Sequence, residues 1–205
     1  MSSDVRTQTL NISELFYSLQ GEGGRAGTPT IFIRLQGCKT KNACFAGGVL
    51  CDTEFESGQA YTIAELETEL WRFAARDITW TGGEPLDQLN EEIVAYFNQL
   101  GYHQSLETSG LRPRVNGFDY ITVSPKVAEH IVEKNFPNGV NELRYVRHKG
   151  QQIPKPAIAA EHYYISPHSN GLEIDRDNLQ HCIELCKENP SWSLSVQQHK
   201  IWRVL

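Results

Sequence analysis

Five short apolar runs in this chain end alike, each in a polar tail containing glycine or proline. The tails are GCKTKNAC (37–44), TGGEP (81–85), ETSG (107–110), SPK (124–126) and SPHS (166–169). The runs before them read as strands: Ile31 to Ile33, Asp77 to Trp80, Gln104 to Leu106, Tyr120 to Val123 and His162 to Ile165. Leu10 to Leu19 (a strand or hairpin arm), Glu142 to Val146 and Ser193 to Val196 read as further strands. Between them apolar residues recur at helical spacing over 62–76, 88–100 and 176–189, the first opened by a Thr62–Glu65 capping box. Strands alternating with helices imply a mostly parallel sheet with right-handed crossovers. Six or seven strands with fewer full helices predict a partial, incomplete TIM-like (β/α) barrel, a single domain spanning 1–205. In parallel α/β folds ligands bind at the carboxyl ends of the strands, so the tails are expected to converge on one edge.

Charge and composition narrow the function classes. The net charge is −6 and Lys and Arg form no block, which argues against a nucleic-acid backbone as partner. The apolar runs are far shorter than a membrane span. The first twelve residues, MSSDVRTQTLNI, lack the apolar core of a signal peptide, so a cytoplasmic location is expected. In that compartment five cysteines suggest metal or redox chemistry rather than disulfides.

Three of them, Cys38, Cys44 and Cys51, fall within fourteen residues, separated by five and six. Three thiolates suit an iron–sulfur cluster with one iron left open, or a zinc site completed by a histidine. Cys182 and Cys186 lie on the apolar face of a helix beside Leu179 and Ile183 and read as core residues. The glycine-rich stretch Gln20-Gly21-Glu22-Gly23-Gly24 is either an exposed hairpin turn or a polar clamp on a ligand. In TGGEP, the glycines expose backbone groups and Glu84 can accept a hydrogen bond from an ammonium.

A cysteine loop after one barrel strand, with TGGEP after the next, resembles the radical S-adenosylmethionine (SAM) superfamily. More narrowly, the chain is similar to the 7-carboxy-7-deazaguanine synthase family of deazapurine (queuosine) biosynthesis. The likeness rests on FYSLQGEG (16–23), IFIRLQGC (31–38), CDT (51–53), TGGEP (81–85), LETSG (106–110), TVSPK (122–126) and SLSVQQHK (193–200). The cysteine intervals depart from it, both being longer than the superfamily's usual three and two residues.

The resemblance implies a radical SAM lyase, belonging to the tRNA-modification pathway, that converts 6-carboxy-5,6,7,8-tetrahydropterin to 7-carboxy-7-deazaguanine with loss of ammonia and regeneration of SAM. It implies a 4Fe–4S cluster on Cys38, Cys44 and Cys51, and Mg²⁺ at Thr53. It places SAM against Gly83, Glu84, Gly110, Ser124, Pro125, Lys126, Ser166, Pro167, His168 and Ser169. For the substrate it implies Leu19, Gln20, Gly21, Glu22, Thr108, His199 and Leu205, with Arg34 on the pterin carboxylate. A homodimer served by a flavodoxin- or ferredoxin-type reductant is the implied working form. Two other readings remain at this point, a small activase of a glycyl-radical enzyme and a non-catalytic three-cysteine metal module. On the leading reading, Cys51→Ala abolishes cluster assembly, measured as iron content and visible absorption after anaerobic reconstitution; a fully loaded, active variant would contradict it.

Overall fold

Along the central strands, branched and aromatic residues alternate with polar ones, and a period of two sends the two kinds to opposite faces of a sheet. The computed structural model describes residues 4–38, 56–169, 171 and 173–204. Its strands are β1 (Thr9–Leu19), β2 (Pro29–Leu35), β3 (Gln59–Thr62), β4 (Asp77–Gly82), β5 (His103–Thr108), β6 (Tyr120–Val123), β7 (Val140–Arg147), β8 (Ala160–Pro167) and β9 (Ser193–Leu194). Among the described residues they form one nine-stranded sheet in the order β3-β1-β2-β4-β5-β6-β7-β8-β9. β1 pairs antiparallel with β2 and with β3, and every pair from β2 to β9 is parallel. The sheet ends in two edges and does not close. It is the partial TIM-like barrel expected: the parallel run β2, β4, β5, β6, β7, β8, β9 has seven strands, and β1 and β3 add antiparallel at one edge.

The helices are α1 (Ile63–Leu70), α2 (Glu91–Gln99), α3 (Glu129–Asn135), α4 (Arg176–Glu188) and α5 (Gln198–Trp202). Ile31, Ile33, Leu35, Ile78, Trp80, Leu106, Ile121, Val123, Leu143 and Ile165 of the sheet form one core with Leu66, Leu70, Ile93, Val94, Phe97, Val132 and Leu185 of the helices. Cys182 is fully buried in that core and Cys186 packs against it, as their helical spacing predicted. Burial, then the neighbouring Cys186, pushes the Cys182 thiol up to about 12, so it stays protonated at neutral pH.

Several bounds differ from the sequence reading, each for a local reason. The capping box at Thr62 is present, but α1 ends at Leu70 rather than 76. There the backbone bonding tightens to one-turn steps, Arg72 N to Glu69 O and Phe73 N to Leu70 O. The helix predicted over 88–100 begins at Glu91, because the Asn90 side chain caps it and Pro85–Asp87 form a separate 3-10 turn. The last strand stops at Leu194 rather than Val196. The sequence reading omitted β3, α3 and α5, all of eight residues or fewer and too short for a periodic signal.

Phe97 meets Trp80, Tyr96 and Tyr102 at ring-centroid distances of 5.6, 5.6 and 6.0 Å and is fully buried. Phe97→Ala is expected to cost about 3–5 kcal/mol, seen as a lower urea midpoint with an unchanged slope; a cost below about 1 kcal/mol would show the site collapsing without loss.

Candidate active site

The face opposite the helices carries the polar half of each alternation. Thr30, Thr79, Thr81, Ser105, Thr122, Glu142, Arg144 and Ser166 are buried there, and Glu107 is half-buried. The parallel register sets Arg34 beside Thr81, Ser105 beside Tyr120, Glu107 beside Thr122, Thr122 beside Glu142, and Arg144 beside Tyr164. A closed barrel normally fills its interior with branched apolar side chains. Here the inner face is polar.

At the carboxyl ends the predicted tails meet. Gly83 N donates to Leu35 O at 2.9 Å and Glu84 N to Gly37 O at 3.0 Å, which lays TGGEP directly on the Gly37-Cys38 backbone. A Cβ at Gly83 would overlap the Gly37 carbonyl, so only glycine fits there. The Glu84 carboxylate is fully buried. It accepts from Leu86 N (3.3 Å), Thr108 Oγ1 (2.7 Å), Ser109 N (3.0 Å) and Ser109 Oγ, fastening ETSG to TGGEP. SPK joins the same edge through Ser124 N to Thr108 O and Lys126 N to Ser109 O, with Pro125 between them. Gly110 N donates to Thr108 Oγ1 at 3.3 Å. The turn after β8 is tied to the turn after β7: His168 N donates to Arg147 O and its ring stacks on His148 with centroids 4.2 Å apart. Ser166 and Ser169 are buried, and the Ser166 hydroxyl has no hydrogen-bond partner among the described residues.

The Gln20–Gly24 loop is the connection between β1 and β2, with Leu19 paired to Pro29 at its base. It folds inward over the polar face. Gly24 N donates to Glu142 Oε2 at 2.9 Å and Gly23 N to Ser195 Oγ at 2.8 Å. Gly23 has φ +66, and a Cβ there would run into the Glu142 carboxylate. Gln20 Nε2 donates to Glu107 Oε1 at 3.0 Å, and its carbonyl accepts from Glu22 N at 3.1 Å. The tail seats on the same loop: Gln198 N donates to Gly21 O, and the His199 ring packs against Gly21. Arg34 pairs with Glu14 at 2.9 Å, and its guanidinium lies 5.4 Å from the Phe16 ring centre.

One basic residue absent from the sequence reading binds this region together. Arg144, with its side chain 6% exposed, lies 3.1 Å from Glu22, 3.0 Å from Glu107 and 3.6 Å from Glu142. Burial alone would lower the Arg144 pKa; the three carboxylates outweigh it and raise it further. Burial would raise the Glu107 pKa, but the Arg144 charge and hydrogen bonds from Arg144, Thr81 and Gln20 hold it below the ordinary carboxyl value. Burial and the Glu142 carboxylate push the Tyr120 hydroxyl well up, so it remains a donor, 3.0 Å from Glu142 Oε2. A signal for this cluster exists in the sequence. In Glu142-Leu143-Arg144-Tyr145, charges alternate with apolar residues inside a parallel strand, where a near-continuous apolar run is the norm.

Of the residues implied for metals, Cys38 is described and partly buried; Cys44, Cys51 and Thr53 lie outside the described residues, as does Leu205. Among the described residues, no group of three His, Cys, Asp or Glu side chains could hold a metal ion. No described helix is long and apolar enough to cross a membrane.

Such an open α/β barrel, polar on its concave face and with its strand-end turns gathered at one edge, is a ligand-binding barrel of the kind that carries enzymatic sites. No protein-family model matches the chain. It is 32% identical over 193 residues to the 7-carboxy-7-deazaguanine synthase of Bacteroides thetaiotaomicron, covering 93% of this chain and 96% of that protein. It is 34% identical to the synthase of the same name from Neisseria meningitidis serogroup B, over 92% of this chain and 91% of the relative. The crystal structure of QueE from Escherichia coli superposes with a TM-score of 0.70 at 26% identity, over 97% of this chain and 100% of the other. The chain belongs to the 7-carboxy-7-deazaguanine synthase family.

A folded-state pKa below the unfolded value stabilises the fold above the unfolded value, near 4.3 for Glu, and the stabilisation is lost as pH falls through the folded value. Glu107→Gln removes this contribution. The variant is therefore expected to lose less stability than the parent between about pH 5 and pH 3, read as urea midpoints; equal acid-induced losses would contradict it.

Proposed function

We propose that this protein is a cytoplasmic radical SAM lyase that converts 6-carboxy-5,6,7,8-tetrahydropterin to 7-carboxy-7-deazaguanine with loss of ammonia, within deazapurine (queuosine) biosynthesis. The observation that carries the reading is the inward-folded Gln20–Gly24 loop. It sets Gln20 and Glu22 over a polar barrel face in a chain whose relatives bear that name over nearly their whole length. The residues present fit the cofactors: the Gly83-Glu84 turn lies on the backbone at Cys38, where a ligand of the cluster and a ligand of the turn would be neighbours.

Cys38, Cys44 and Cys51 would hold the 4Fe–4S cluster and leave one iron open. When bound, the cluster and SAM would supply 5′-deoxyadenosyl radical chemistry. The protein's own part is to bind, orient and exclude water. Gly83 and Glu84 would hold the methionine end of SAM. Four donors already fill Glu84, the usual capacity of a carboxylate, so accepting from the SAM ammonium requires the Ser109 hydroxyl to turn away. Gly110, Ser124, Pro125 and Lys126 would line the same cofactor beside it. Ser166, Pro167, His168 and Ser169 would do so from the turn after β8, where the Ser166 hydroxyl offers an unused donor.

Glu22 and Gln20 would pair with the N–H and C=O groups of the aminopyrimidinone edge, with Leu19 and Gly21 shaping the loop. Arg34 would take the substrate carboxylate, exchanging it for Glu14, and Thr108, His199 and Leu205 would complete the pocket. Thr53 would contribute a hydroxyl to Mg²⁺, with substrate oxygens and water as further ligands. A homodimer reduced by a flavodoxin- or ferredoxin-type protein is the proposed working form. Tyr17 and Val204, both exposed, line one surface cavity, which supports a second copy covering it.

The direct test is anaerobic reconstitution, followed by incubation with SAM, a reductant and the carboxytetrahydropterin. About four irons per chain and a deazapurine product by mass spectrometry are expected; tightly bound zinc with no SAM binding would contradict the proposal. Arg34→Ala is expected to lower kcat/KM for the pterin at least tenfold, about 1.4 kcal/mol, while SAM cleavage survives. Unchanged kcat/KM would remove Arg34 from the carboxylate site.

A further inference from the structure

We infer that Arg144 is the positioning residue for the substrate-reading carboxylate, setting Glu22 and Glu107 in one fixed geometry; this rests on the pterin reading above. Its side chain touches three elements that are far apart in sequence. Nη1 lies 3.1 Å from Glu22 Oε2 in the loop after β1, and 3.6 Å from Glu142 Oε1 on its own strand. Nη2 lies 3.0 Å from Glu107 Oε1 at the end of β5. A planar guanidinium holds two carboxylates at a set angle, which an ammonium on a flexible stem does not.

Both residues proposed to read the heterocycle depend on this one group. Glu22 is held directly. Gln20 is held through Glu107, to which its amide donates at 3.0 Å while Thr81 donates to the other oxygen at 3.1 Å. Three carboxylates against one guanidinium also leave the cluster rich in acceptors. Arg25, the next cation in the region, is bound to Asp77 and lies over the Tyr120 ring. Glu142 Oε1 is buried and receives no hydrogen bond from the described residues. An acceptor-rich, buried cluster suits a ligand edge that presents several N–H donors, as an amino-substituted pyrimidinone does.

The test separates positioning from simple charge balance. Arg144→Lys keeps the charge and loses the fork. Expected are a thermal midpoint and iron content near the parent's and a SAM affinity within twofold. The KM and the calorimetric Kd for the carboxytetrahydropterin should rise at least tenfold, with kcat changed less than threefold. Pterin KM and Kd within twofold of the parent in a fully loaded Arg144→Lys protein would overturn the inference. Should that variant not fold, Glu107→Gln removes one arm at constant size. The same rise in pterin Kd with intact SAM affinity supports the inference, and an unchanged Kd overturns it. The parent protein is the control for the underlying reading. If it neither binds nor converts the pterin, the proposed function fails; if it does and the variants match it, only the role of Arg144 fails.

Discussion

A guanidinium surrounded by three carboxylates fixes how the first hairpin meets the sheet. Without Arg144, the loop carrying Gln20 and Glu22 would bring the Glu22 carboxylate against Glu107 and Glu142, and like charges repel strongly where water is excluded. With it, the loop bends inward and its backbone amides find acceptors on the inner face. The energetic consequence is asymmetric: an intact cluster adds modest stability, whereas loss of the Arg144 cation leaves the buried Glu142 and the half-buried Glu22 and Glu107 carboxylates uncompensated. A site organised this way is rigid before any ligand arrives.

The second constraint is the approach of two turns. TGGEP can lie on the Gly37-Cys38 backbone only because Gly83 has no side chain, and Glu84 then gathers ETSG through its buried carboxylate. SPK follows through the Thr108 and Ser109 carbonyls. Each of these first four tails along the carboxyl edge is held by the one before it, and SPHS is held separately by Arg147 and His148 at the end of β7. The helices contribute by covering the opposite face, where Trp80, Phe97 and their neighbours carry the burial. The incomplete barrel leaves its polar interior open at that edge.

Much of this was legible in the sequence, because strand alternation and polar tails are local signals. The parallel order, the meeting of the tails, the capping box at Thr62 and the core role of Cys182 all follow from spacing and residue type. What escaped was mainly non-local. Arg144 lies more than a hundred residues from Glu22, and nothing near either announces the other. The inward fold of the Gln20–Gly24 loop depends on Glu142 and Ser195, likewise distant. The short elements β3, α3 and α5 exist because tertiary contacts hold them, such as Gln198 N on Gly21 O. The internal occupation of Glu84 was also hidden, since a carboxylate in a glycine turn looks free until its neighbours are placed.

The most direct measurement is a crystal structure of the reconstituted protein with SAM and the carboxytetrahydropterin bound. The expected result is pterin density on the concave face, its amino edge within hydrogen-bond distance of Glu22 and Gln20 and its carboxylate on Arg34. Density elsewhere, with the Arg144 cluster and the loop unengaged, would contradict the site built here.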